Sequence, residues 1–168
     1  MDVQAIWDNF RRTVTEHYFD MNGRVGRAQF WYFVLANIVI AIGLAFVQMA
    51  VFLPLAALYN LAMLLPSAGM GARRLQDTGR DGKIVWAFIV VAFISQLFAA
   101  MTMFSALSMG GLMFLGPAIA LSGLIGLALL VVSIVLIYFW CQPGDPGPNS
   151  YGPVPPVFDP SKSASPAR

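Results

Sequence analysis

GARRLQDTGRDGK, residues 71–83, holds four basic and two acidic side chains in thirteen positions. Upstream of it no charge appears back to Arg27, and downstream none appears between Lys83 and Asp145. A soluble domain carries about a quarter charged residues, whereas this 168-residue chain is 11% charged and 58% hydrophobic. One small core cannot hide that much apolar surface, so lipid must solvate most of it. The island therefore divides the chain into two long apolar halves, each of which has to be fitted into a bilayer.

A helix needs about 20 apolar residues to cross the hydrocarbon core. The uncharged stretch from Ala28 to Ala72 is too long for one span and long enough for two. Pro54 suits the first turn of a new helix, because its φ is fixed and its missing N–H is not needed there. Spans are expected near 29–51 and 54–72, with Pro66 kinking the second or ending its regular part early. The stretch from Ile84 to Gly144 again holds two, near 84–107 and 118–140, joined through SMGGLMFLGP (108–117). Backbone polar groups in lipid must pair internally, and no alternating barrel pattern is present, so helices are expected. The fold class is an all-α membrane protein of four transmembrane helices over residues 21–153.

Lys and Arg set the orientation. Arg11, Arg12, Arg24 and Arg27 precede the first span, Arg73, Arg74, Arg80 and Lys83 lie between the second and third, and Lys162 and Arg168 follow the fourth. The other two turns have no basic residue. Both termini and the island are thus expected in the cytoplasm. Trp31, Trp86 and Trp140 fall at the same ends of the spans, where indole rings favour the interface.

The flanks differ in character. Over residues 1–20, Val3, Ile6, Trp7, Phe10, Val14, His17 and Tyr18 share about a third of a helical wheel, with Asp8, Arg11, Arg12, Thr15 and Glu16 opposite. That pattern is an amphipathic helix lying in the membrane surface, or one whose stripe packs on protein near the loop after the second span. The tail from Gln142 holds eight of the eleven prolines. Its first part suits an ordered turn at GPNSYG, and residues 154–168 are expected to be disordered.

Several function classes recede. The expected spans carry no carboxylate, lysine or histidine, and no metal-ligand spacing, phosphate-binding glycine loop or Ser/His/Asp set is visible. No catalysis, cofactor or metal is expected. The single Cys141 excludes an internal disulfide. A net charge of +2 without a basic tract gives nucleic acid no footing. Asn37, Gln48, Asn60 and Gln96 are the main polar groups within the spans and read as interhelical hydrogen bonds. Ala118, Ser122 and Gly126 form a ridge of small residues that favours close helix packing.

Three segments remain: FDMNGRVGRAQFWYF (19–33), ARRLQDTGRDGK (72–83) and GDPGPNSYG (144–152). Distant in sequence, they share the cytoplasmic face of the expected topology. Together they resemble the domain-of-unknown-function 805 family, YhaH-type small bacterial inner-membrane proteins. The match to its first motif is carried by Gly23, Arg24, Arg27, Phe30 and Trp31. Arg73, Arg74, Leu75, Asp77, Gly79 and Gly82 carry the second, and Gly144, Gly147, Asn149, Tyr151 and Gly152 the third. The chain departs from the family pattern at Gln76, where a histidine is usual, and at Asp81, where a serine is usual. The resemblance implies a membrane fold and no defined activity.

The island has two readings. If the second span continues past Ala72, Asp77 is an i,i+4 neighbour of Arg73 and an i,i+3 neighbour of Arg74, Gly79 ends the helix left-handed, and Asp81 caps the next one. Topology alone then explains the arginines. Alternatively, Arg24, Arg27, Arg73, Arg74, Asp77, Arg80, Asn149 and Tyr151 form a cytoplasmic-face cluster that holds an anionic head group or small anion. The first expectation is an accessory or interaction protein of the inner membrane, and the second a binder or transporter of such an anion. Membrane lipids, other membrane proteins or a second copy are the expected partners. What separates the two readings is whether the three motifs leave an open basic pocket or saturate one another.

Overall fold

The computed structural model describes residues 3–51, 53, 55–106 and 112–159. The elements are α1 (Val3–Thr15), α2 (Arg27–Val51), α3 (Leu55–Ala62), α4 (Leu64–Asp77), α5 (Lys83–Ala106) and α6 (Leu112–Cys141). The protein is all-helical among the described residues, apart from one isolated bridge between Asn149 and Gly152. Arg27–Val51 and Ile119–Cys141 are long and apolar enough to cross a membrane. Taken as one span, α3 and α4 supply a third. Length and apolarity therefore account for two or three of the four crossings expected from sequence. The second expected span is broken by a 43° bend between α3 and α4, and within α5 the segment Lys83–Ser95 is an apolar helix. Pro54, the turn residues 107–111 and the tail residues 160–168 lie outside the described residues.

One boundary moves for a physical reason. Gly116 and Pro117 were expected in the turn before a span at 118–140, yet α6 already begins at Leu112. Backbone groups in lipid must be paired internally, which favours continued helix over an open turn even at Pro117, where one N–H is missing. The chain divides into two compact units, Met1–Gly82 with Gln142–Arg168, and Lys83–Cys141.

The second unit is the pair α5 and α6, packed on each other. Three of its described serines close onto their own helices: Ser95, Ser122 and Ser133 donate to the carbonyls of Ala92, Ile119 and Leu129 at 2.7, 2.9 and 2.8 Å. Val90, Ile94, Leu124 and Leu130 are exposed, as befits surface that faces hydrocarbon. The small-residue ridge is open at Gly126, where an added β-carbon would meet nothing within 4 Å.

The first unit packs α1 on α2 and α4. Phe10 stacks between Trp7 and Phe33, at 5.5 and 5.8 Å between ring centroids. Asn9 Nδ2 donates to the Gln29 carbonyl at 3.0 Å, and the Thr13 hydroxyl turns back to the Asn9 carbonyl at 2.8 Å. The buried residues of α1 are Ala5, Asn9, Phe10 and Thr13. At about 100° per residue they centre to one side of the apolar stripe and share only Phe10 with it. Val3 and Trp7 remain exposed beside them, and Arg11 and Arg12 are exposed on a further side. The helix thus presents three sectors: one buried against protein, one exposed and apolar, and one exposed and charged. It ends at Thr15, so His17 and Tyr18 belong to the following loop.

Between α2 and α3 the polar groups pair as expected for two of the four residues. Tyr59 OH donates to Asn37 Oδ1 at 2.8 Å, and Gln48 Oε1 accepts the Ala56 N–H at 3.2 Å. The latter satisfies a donor of the first turn of α3, which has no partner within its own helix. Pro66, expected to kink the second span, stands in the first turn of α4, just past the bend at Met63. It has no N–H to give the carbonyl four residues back, which is that of Ala62. Tyr18 OH takes that place, donating to Ala62 O at 2.6 Å.

Candidate functional site

α4 is built unlike the other long helices. Its sequence, LLPSAGMGARRLQD, turns polar toward the end, and every residue from Ala68 to Asp77 is buried. Such an end exposes backbone carbonyls that must find donors. Gly79, at φ +74°, turns the chain left-handed so that its own N–H reaches the Gln76 carbonyl at 3.1 Å, while Arg80 N–H reaches Leu75 at 3.1 Å. This is the glycine-terminated helix end expected from sequence. The remaining donors come from afar. Asp145 N–H bonds the Asp77 carbonyl at 2.8 Å, Val25 N–H that of Arg73 at 3.3 Å, and Asn149 Nδ2 that of Gln76 at 2.9 Å.

Side chains complete the closure. Asp77 receives Arg24 Nε on Oδ1 at 2.9 Å and Arg74 Nη1 on Oδ2. The three side chains are 4%, 1% and 0% exposed. Arg24 also donates to the carbonyls of Gly147 and Asp145, both at 2.7 Å, and to that of Gly152 at 3.4 Å. Arg74 donates to the Gln142 carbonyl and reaches that of Val25 at 3.5 Å. Asn149 holds Asp145 Oδ2 at 2.8 Å with its amide and accepts the Tyr151 N–H on Oδ1 at 2.9 Å. Gly144 is needed for closeness: a β-carbon there would run into the Asp77 carboxylate. All three sequence motifs therefore meet around one aspartate. Removing either partner from such a buried pair leaves an uncompensated charge, at a cost of about 3–5 kcal/mol.

The cluster expected from sequence is regrouped by these contacts. Arg24, Arg74, Asp77 and Asn149 come together, and Tyr151 takes part through its backbone. Arg73 does not pair with Asp77. It turns the other way, its Nη1 3.8 Å from Asp20 Oδ2 and its Nη2 3.3 Å from Met70 Sδ, and its buried Nε has no hydrogen-bond partner. Asp20 in turn holds His17 Nδ1 at 3.1 Å. Arg80 donates to Thr78 O at 3.3 Å within its own turn, and Arg27 is exposed at the start of α2. Two carboxylates were missed, Asp20 and Asp145. The sequence does carry a signal for both, since each lies within a segment that bears a motif. Packing also continues past the 153 boundary drawn for the disordered tail, because the Phe158 ring lies 5.7 Å from that of Tyr32.

A family model described as "Protein of unknown function (DUF805)" matches residues 18–153. Inner membrane protein YhaI of Escherichia coli is 28% identical over 144 residues, covering 83% of this chain and 89% of that protein. Inner membrane protein YhaH of the same organism is 26% identical over 149 residues, covering 84% and 92%. The uncharacterized E. coli protein YiiR is 34% identical over 89 residues, covering 47% and 54%. No solved structure is significantly similar to the chain.

Proposed function

The chain belongs to the DUF805 family of proteins of unknown function, and we propose that it is an accessory or interaction protein of the bacterial inner membrane, without catalytic activity. It crosses the bilayer four times with both termini in the cytoplasm. Parity supports this count. Arg24, the end of α4 and the tail from Gln142 share one hydrogen-bonded cluster, so the chain between each pair must leave that side and return. The bent α3–α4 pair and α5 then serve as the second and third spans, and the arginine-rich ends lie inside. Lipids, and other membrane proteins or a second copy, are the partners.

The observation that carries this reading is saturation. The guanidinium groups of Arg24 and Arg74 are occupied by Asp77 and by tail carbonyls, which ties the cytoplasmic ends together and leaves those two arginines no open face for an anion. A second reading, an anionic lipid or small anion at the cytoplasmic face, is favoured only at Arg73, whose buried Nε has no partner. The test is thermal unfolding of the full chain in phosphatidylcholine nanodiscs with and without phosphatidylglycerol. Equal midpoints fit the accessory role. Saturable stabilisation by phosphatidylglycerol that Arg73→Gln abolishes would replace it with the anion-binding reading.

A further inference from the structure

A cavity of about 260 Å³ lies among α2, α3 and α4, lined by Asn37, Ile38, Tyr59, Asn60, Met63 and Ser67 with two further apolar residues. Asn37 and Tyr59 form its satisfied part, since Tyr59 OH bonds Asn37 Oδ1 at 2.8 Å and Asn37 Nδ2 bonds Phe33 O at 3.1 Å. Asn60 and Ser67 are different. Both are exposed, and neither side chain makes a hydrogen bond among the described residues. Three serines of α5 and α6 behave otherwise: Ser95, Ser122 and Ser133 each bond a carbonyl of their own helix. Asn37 is ten residues into α2, about 15 Å along its axis at about 1.5 Å per residue. That is about half of a 30 Å hydrocarbon layer. At such a depth an unpaired amide and hydroxyl are costly, and polar groups beside a broken helix are where membrane proteins hold ligands.

We propose that this cavity binds an uncharged, membrane-dissolved amphiphile whose head group carries carbonyl or hydroxyl oxygens, with Asn60 and Ser67 as its hydrogen-bonding residues. The chemistry of the lining sets the class. It contains no carboxylate, lysine, arginine or histidine, so a charged head group would be left uncompensated. The amide and the hydroxyl can each donate and accept, which suits two oxygens on one small head. The volume falls just below the about 300–1,000 Å³ of sites for drug-sized ligands, so it takes the head and leaves the tail in lipid. A quinone ring and a glyceride ester head share this chemistry.

The experiment is native mass spectrometry of the full chain released from detergent, titrated separately with a benzoquinone bearing one isoprenoid unit and with dioctanoylglycerol. A saturable one-to-one adduct with either probe is expected, and the probe that gives it identifies the source. The double variant Asn60→Leu/Ser67→Ala, which leaves the Asn37–Tyr59 pair intact, should weaken that adduct at least tenfold. Ile38→Trp, which fills the cavity without touching the polar pair, should weaken it as well. No adduct with either probe overturns the proposal, as does an adduct that survives both variants. Ser67→Cys in a Cys141→Ser background adds one more outcome: a disulfide-linked dimer formed in lipid would show that a second copy covers the cavity, and would also overturn it.

Discussion

α4 and α6 stand in opposite relation to their surroundings. The last ten residues of α4 include Arg73, Arg74, Gln76 and Asp77, and all are buried. α6 is almost wholly apolar, yet among its described side chains only Leu136 is buried. In a water-soluble protein this order would be reversed. Where lipid is the solvent, burying an apolar side chain gains little, because hydrocarbon is already apolar. Stability has to come from closing polar groups on one another. The difference teaches that the specific, sequence-encoded contacts lie at the polar end of α4 and that α6 chiefly has to match the bilayer.

That contrast can be broken from either side. Asp77→Ala leaves Arg24 and Arg74 buried without their carboxylate and should cost about 3–5 kcal/mol, read as the loss of reversible unfolding free energy in mixed micelles. Gly144→Val forces a side chain into the Asp77 carboxylate and should cost about 1–3 kcal/mol by overpacking, visible as a lowered thermal midpoint. Tyr18→Phe removes the donor that serves the carbonyl freed by Pro66 and should cost about 1 kcal/mol. Hydrogen exchange at the bend near Met63 should rise with it. Leu124→Val on the exposed face of α6 should stay within about 0.5 kcal/mol of the parent. Were Leu124→Val to cost as much as Asp77→Ala, the inverted relation between polarity and burial would fail.

The outer ends of the apolar helices were legible because they depend on charge spacing: Arg27, the island and Asp145 place them to within a few residues, whereas the bend at Met63 and the start of α6 at Leu112 carry no charge signal. Asp77 was legible as well, being the acid in the island that matches the family pattern. The partner of Arg73 was not, since i,i+4 spacing favours Asp77, while the loop after α1 brings in Asp20. Nor were the tail's contributions, because Arg24 and Arg74 bind the carbonyls of Gln142, Asp145 and Gly147, and a carbonyl has no signature in sequence. The Tyr18 bond is intermediate. Pro66 announces that the Ala62 carbonyl will lack its usual donor, but only the fold reveals which hydroxyl replaces it.

The central claim is that Arg24, Arg74 and Asp77 act as one buried cluster joining motifs remote in sequence. A double-mutant cycle of Arg24→Gln and Asp77→Asn, measured by reversible unfolding in mixed micelles, tests it most directly. A coupling free energy above about 1 kcal/mol is predicted, beyond the about 0.2–1 kcal/mol of an exposed pair. Additivity of the two substitutions to within about 0.3–0.5 kcal/mol, as for sites that do not touch, would contradict it.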